Sequence, residues 1–138
     1  MSDRLAAVPS YLLDSTVLID YLRGNTEVRE RLRALTEDGH QLCICAINVA
    51  EIVAGLREEE RAATERFLSA LSYIDLTFDI AKTSGVYQHA FARRGEAYKI
   101  TDLLIGAAAL AHDAVLLTDN VKDFQIPGLQ VERLPSGR

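Results

Sequence analysis

The sequence predicts an α/β fold in which a parallel sheet is covered by helices on both faces. Strand-like and helix-like stretches alternate along the chain, and each strand candidate is a short apolar run without polar alternation, the pattern of a strand buried on both sides. With 138 residues, 49% apolar and 25% charged, the chain suits one globular core. Open parallel sheets bind ligands outside the carboxyl ends of their strands, where the winding direction switches. The chemistry is therefore sought at strand ends.

Residues 1–10 read as a loose lead-in, because Pro9-Ser10 interrupts any pattern, residues 11–133 as a single domain, and 134–138 as a tail. Tyr11-Leu12-Leu13 is a buried strand that stops on Asp14 and turns into a helix over Ser15–Arg23, closed by Gly24-Asn25. A second helix, from about Thr26 to Asp38, sets Val28, Leu32 and Leu35 on one face and ends at Gly39. Gln41–Cys45 is the next buried strand. Val49, Ile52, Val53 and Leu56 then take helical spacing, with Asn48 as N-cap. The charged run around Glu58-Glu59-Glu60 reads as a solvated junction into a helix over 59–71 whose Ala63, Phe67, Ala70 and Leu71 face inward. Tyr73–Leu76 is a short strand. Asp79 is the N-cap of a helix reaching about Arg94, Thr101–Leu110 is a tightly packed helix of small residues, Ala114–Leu117 is a buried strand, and 129–133 is a final short one.

No stretch of about 18 apolar residues occurs, and nothing at the start resembles a signal peptide, so a cytoplasmic protein without a membrane partner is expected. Cys43 and Cys45 point to one face of a strand and read as reduced core residues. A net charge of −5 excludes a purely electrostatic nucleic-acid binder. It leaves room for an enzyme that meets phosphate through a metal.

Each acid at these strand ends and helix starts has a structural explanation of its own. Asp14 can cap the following helix, worth about 1 kcal/mol. Glu51, three residues after Asn48, fits a capping box. Asp102, after the cap-like Thr101, suits the positive end of a helix dipole, and Thr118-Asp119-Asn120 can form a local turn. Together they lie along one edge of the sheet, where carboxylates raise one another's pKa unless a cation favours their charged forms. Mg²⁺ or Mn²⁺ suits oxygen ligands without His or Cys, and the combination suggests phosphodiester hydrolysis.

Four segments in order, Leu12–Asp20, Asn48–Ile52, Thr101–Ala109 and Leu117–Phe124, resemble the motifs of PIN-domain ribonucleases, most closely the VapC toxins of bacterial toxin–antitoxin pairs. The resemblance spans about residues 11–133. It implies a PIN-like three-layer α/β/α sandwich, a Mg²⁺- or Mn²⁺-dependent endoribonuclease, homodimerisation, and inhibition by a VapB-like antitoxin held by the helices between about 15 and 38 and between 48 and 71. By position, Asp14, Glu51 and Asp102 match the family's three acids and Thr118 its hydroxyl residue. The fourth acidic position falls on Asn120, with Asp119 as the neighbour able to replace it if the turn is rotated. An amide there removes one negative charge and weakens a second metal site.

On this reading Asp14, Asp102 and Glu51 hold the ion, single-stranded or loop RNA is the substrate, and Arg23, Arg93, Arg94 and Lys99 are either phosphate contacts or ordinary surface charges. His40, His89 and His112 read as surface or helix-end residues. Tyr87 and Phe91 read as core, and Tyr98 as core or a base-stacking residue. The rival from another class is a PIN scaffold that binds RNA or protein with little or no hydrolysis, kept open by Asn120. A haloacid-dehalogenase-like phosphatase expects an acid where Thr16 stands, and a receiver domain expects its Asp where Cys45-Ala46-Ile47 stands.

Overall fold

The computed structural model describes residues 8–135. Five strands form one all-parallel sheet in the order β3-β2-β1-β4-β5: β1 (Tyr11–Leu13), β2 (Leu42–Cys45), β3 (Ser72–Ile74), β4 (Val115–Thr118) and β5 (Val131–Arg133). Side chains on a strand alternate between faces, and the core divides accordingly. Leu13, Ile44 and Leu117 face one layer of helices: α1 (Ser15–Leu22), α2 (Thr26–Glu37), α3 (Ala46–Ala54) and α4 (Arg61–Ser69). Leu12, Cys43, Cys45 and Leu116 face the other, α5 (Phe78–Arg93) and α6 (Ile100–Ala111). This is the expected three-layer α/β/α sandwich around a parallel sheet.

The chain winds from β1 outward through β2 and β3, returns through α5 and α6, and continues through β4 and β5 on the opposite side of β1. The direction therefore reverses between β1 and β4, whose carboxyl ends carry Asp14 and Thr118. Fully buried leucines at 12, 13, 116 and 117 fix this pair in the middle of the sheet, each burial contributing roughly 1.5–3 kcal/mol. α6 packs on the sheet through Ile105, Ala107, Ala108 and Ala109, which share one core cluster with Leu12 and Leu116. Gly24 and Gly39 end α1 and α2 with φ of +88° and +90°, conformations that a side chain would strain.

Several elements differ in detail from the sequence reading. α3 begins at Ala46, with Cys45 as its N-cap; Asn48 is the third helical residue, and its side chain reaches back to the Cys45 N–H. The Asn48 cap and the Glu51 capping box are thus displaced by one turn. Thr77, not Asp79, caps α5, accepting the Ile80 N–H, and Lys99, not Thr101, stands at the cap position of α6. α4 is preceded by a 3₁₀ turn at Glu58–Glu60, which changes its phase: Thr64 and Leu68 are buried, Phe67 and Leu71 half-buried, and Ala63 and Ala70 exposed. The third and fifth strands are shorter than expected. Of the lead-in, residues 1–7 lie outside the described residues, whereas Ser10 already bonds to β4 through its carbonyl. Leu134, read as the start of the tail, is buried and donates its N–H to Thr118; 136–138 lie outside the described residues.

Both cysteines are free and buried, and burial pushes their thiols up, in keeping with reduced core residues. Among the described residues, no helix is long and apolar enough to cross a membrane.

Candidate active site

Asp14 ends β1 and caps α1. The strand delivers it to the sheet edge, and its own N–H continues the β1–β4 ladder onto the Leu117 carbonyl at 3.0 Å. It is 5% exposed, so its carboxylate must find its partners in the protein. Oδ1 accepts the Ser15 N–H at 2.8 Å, while Oδ2 accepts the Thr118 hydroxyl at 2.7 Å and the Thr16 hydroxyl at 3.1 Å. Burial raises the Asp14 pKa above the usual carboxylate value. The bonds from Thr118, Thr16 and Ser15 oppose that rise, and the Glu51 charge adds to it.

Thr118 is fully buried and its single hydroxyl does two jobs. It donates to Asp14 and accepts the Asn120 N–H at 2.9 Å. The end of β4 is thereby fastened to the end of β1 and to the 3₁₀ turn of Val121–Phe124 that follows.

Glu51 is the sixth residue of α3 and is exposed. Its Oε1 accepts the Ser15 hydroxyl at 2.6 Å, and Ser15 Oγ in turn accepts from the amide of fully buried Asn48 at 3.0 Å. Asp102 is the third residue of α6, half-buried. Its pKa is raised to about 6, first by burial, then by the charges of Asp14 and Asp123, with Glu51 adding and Lys99 opposing. Asp14, Glu51, Asp102 and Asp123 therefore share one electrostatic neighbourhood.

The remaining expected residues are placed differently. Asn120 is tied in through its backbone, its N–H on Thr118 and its carbonyl accepting the Asp123 N–H. Asp119 accepts from Arg133 of β5 at 3.3 Å. Asp123, Ser15 and Asn48 lie inside or beside the motif segments, but the sequence reading gives none of them a role in the site. Asp123 follows no helical or strand period, and its nearest signal was the neighbouring Phe124, a buried anchor for the turn.

A cavity of about 210 Å³ beside Asp102 is lined by Glu96, Tyr98, Lys99, Lys122 and Asp123. Tyr98 stacks on buried Phe91 at 4.3 Å between ring centres, and Arg94 lies over the same Phe91 ring. A second groove, about 440 Å³, runs between α1, α3 and α4, lined by Ile19, Leu22, Arg23, Glu51, Ile52 and Leu56 among others. His40 is tied to the Pro9 carbonyl, His89 is exposed on α5, and His112 caps the far end of α6.

The donors are all oxygens, which suits a hard divalent cation. Among the described residues, however, no group of three or more His, Cys, Asp or Glu side chains is arranged to hold a metal ion as it stands. Asp14 is fixed in place and Glu51, though exposed, is held by Ser15, while Asp102 keeps solvent access from which to complete such a set.

A central parallel sheet carrying acids along its carboxyl edge at the winding switch defines the class. The family model for the PIN domain matches residues 11–126. Ribonuclease VapC19 of Mycobacterium tuberculosis is 36% identical over 120 residues, covering 86% of this chain and 96% of that protein. The DNA-bound VapBC structure from Salmonella typhimurium matches with a TM-score of 0.79 at 26% identity, over 91% of this chain and 98% of that one. VapBC2 from Rickettsia felis, bound to a DNA fragment from its promoter, matches with a TM-score of 0.78 at 25% identity, over 90% and 98%. The chain belongs to the PIN-domain family, and within it to the VapC ribonuclease toxins.

Proposed function

We propose that this protein is a Mg²⁺- or Mn²⁺-dependent endoribonuclease and the toxin of a VapBC-type toxin–antitoxin pair, cleaving single-stranded or loop RNA. The observation that carries the reading is the gathering of Asp14, Glu51, Asp102 and Asp123 at the sheet edge, where burial first, and then the charges of Asp14 and Asp123, raise Asp102 to about 6. Such a set is unfavourable in isolation and favourable around a cation.

Asp14, Asp102 and Glu51 would hold the ion, with Asn120, or Asp119 after a turn rotation, as a further oxygen. When bound, a divalent cation activates water and neutralises developing phosphate charge. The chain's own contributions are separate. Thr118, Thr16 and Ser15 favour the ionised form of Asp14 against its burial and hold its carboxylate in place. Lys99 and Lys122, on the rim of the cavity beside Asp102, offer contacts to flanking phosphates. His112 is no candidate for imidazole acid–base catalysis, since it lies ten residues from Asp102 along α6, about 15 Å at the helical rise.

Solved structures similar to this chain include VapBC structures and a toxin–antitoxin complex from Klebsiella pneumoniae. In this protein the groove between α1, α3 and α4 has apolar walls and Glu51 in its lining. An antitoxin segment seated there would bury an apolar anchor and bring an Arg or Lys toward the acids. A homodimer completes the proposed assembly.

The test is cleavage of a mixed RNA pool with Mg²⁺ or Mn²⁺, alongside EDTA and Asp14→Asn controls. Cleavage that needs both metal and Asp14 supports the reading, and cleavage that survives both controls overturns the metal mechanism. One observation favours a second reading, a PIN scaffold that binds RNA or a protein without cutting: the acids do not already form a metal-holding group. RNA bound but never cut would establish it.

A further inference from the structure

The hydrogen-bond chain behind Glu51 has a fixed direction. Asn48 Oδ1 accepts the Cys45 N–H at 2.8 Å, so the amide cannot turn over without setting a donor against that N–H. Its Nδ2 is therefore the end that meets Ser15 Oγ, at 3.0 Å. An amide NH₂ can only donate, so Ser15 Oγ accepts there and its one hydrogen goes to Glu51 Oε1 at 2.6 Å. The Ser15 N–H meanwhile binds Asp14 Oδ1 at 2.8 Å. One small residue thus grips two carboxylates, Asp14 through its backbone N–H and Glu51 through its hydroxyl.

Glu51 gains most from this. It is exposed on the surface of α3, where a glutamate is free to sample many rotamers and loses that freedom when it is fixed. A hydroxyl donor supported from a fully buried amide holds the carboxylate in one place before anything binds. Bonds of this kind to ionised acceptors are the stronger ones.

We propose that Ser15, aimed by Asn48, is a positioning residue that presents Glu51 to a divalent cation at a set place relative to Asp14. This rests on the reading of Asp14 and Glu51 as cation-holding groups. The alternative is that Asn48 and Ser15 merely complete the cap of α3 and the packing of α1.

The two are separated by a double-mutant cycle read as Mn²⁺ affinity, measured on the full chain from the electron paramagnetic resonance signal of free Mn²⁺. Wild type, Ser15→Ala, Ser15→Thr, Glu51→Ala and the Ser15→Ala/Glu51→Ala pair are compared, with thermal melts in EDTA recording the fold. Ser15→Ala is expected to weaken Mn²⁺ about tenfold, Ser15→Thr to restore most of it, and Ser15→Ala to add nothing once Glu51 is gone. Wild-type affinity in Ser15→Ala, or an equal loss in the Glu51→Ala background, overturns the positioning role while leaving the nuclease reading standing. A wild-type protein that takes up no Mn²⁺ and cuts no RNA overturns both.

Discussion

Replacing Asp102 with Asn should make the metal-free protein more stable at neutral pH while removing its activity. The folded protein raises this carboxyl from 3.8 to about 6, so it favours the protonated form. Stability contributed by such a group is complete below about pH 4 and is lost as the pH rises through about 6. A shift of that size corresponds to roughly 3 kcal/mol if unscreened. Asp102 keeps solvent access, and screening reduces the figure to about 1 kcal/mol. The assay is urea unfolding in EDTA from pH 4 to pH 8. Wild type should lose about 1 kcal/mol relative to Asp102→Asn across that window, with the two converging at the acid end. Mg²⁺ at about 100 times its Kd should return roughly 2.7 kcal/mol to wild type at pH 8, and markedly less to the variant. An Asn variant no more stable than wild type at pH 8 in EDTA, or a gap that persists at pH 4, would refute the reasoning.

Thr118→Val keeps the shape of a fully buried side chain but removes the donor to Asp14 and the acceptor for the Asn120 N–H; about 2 kcal/mol of stability should be lost in urea unfolding. Gly106→Val should cost about 1–3 kcal/mol by the same measure, because a side chain there meets Ile126, itself buried, and then Leu129; an unchanged unfolding midpoint would show that this packing yields. In RNA cleavage, Asn120→Ala should lose about tenfold or more, whereas Asp119→Ala, which removes a surface pair with Arg133, should keep most activity. The reverse order would place Asp119 in the site.

The central strands were easy to read because β1, β2 and β4 are buried on both faces and carry no polar alternation to confuse them. Asp14 and Thr118 were legible for a related reason, as polar residues at the first break after such runs. The start of α3 was not. Its N-cap, Cys45, has none of the usual capping chemistry, and Asn48 looked like a cap when it acts from the third helical position. The spacing of Asn48 and Glu51 was visible, but Ser15, which links them, lies 36 residues from Glu51, and no local pattern announces a contact of that range. Asp123 falls inside the fourth motif but receives no role there, because a 3₁₀ turn has no period from which its approach to Asp102 could be read. The phase of α4 failed because the turn at Glu58–Glu60 uses up residues that a continuous helix would have counted.

The bond between Asp14 and Thr118 spans 104 residues of chain. β1 can pair with β2 as soon as residue 43 is available, but the other side of β1, and with it the hydroxyl that favours the charged form of Asp14 and holds it in place, waits for residues 115–118. During synthesis from the N-terminus the helices and half the sheet can therefore form around a first strand whose acid is still unsupported. The edge proposed to cut RNA is among the last parts of this domain to be completed. On the proposed function, a growing chain of this design has no complete cutting edge until β4 has paired with β1.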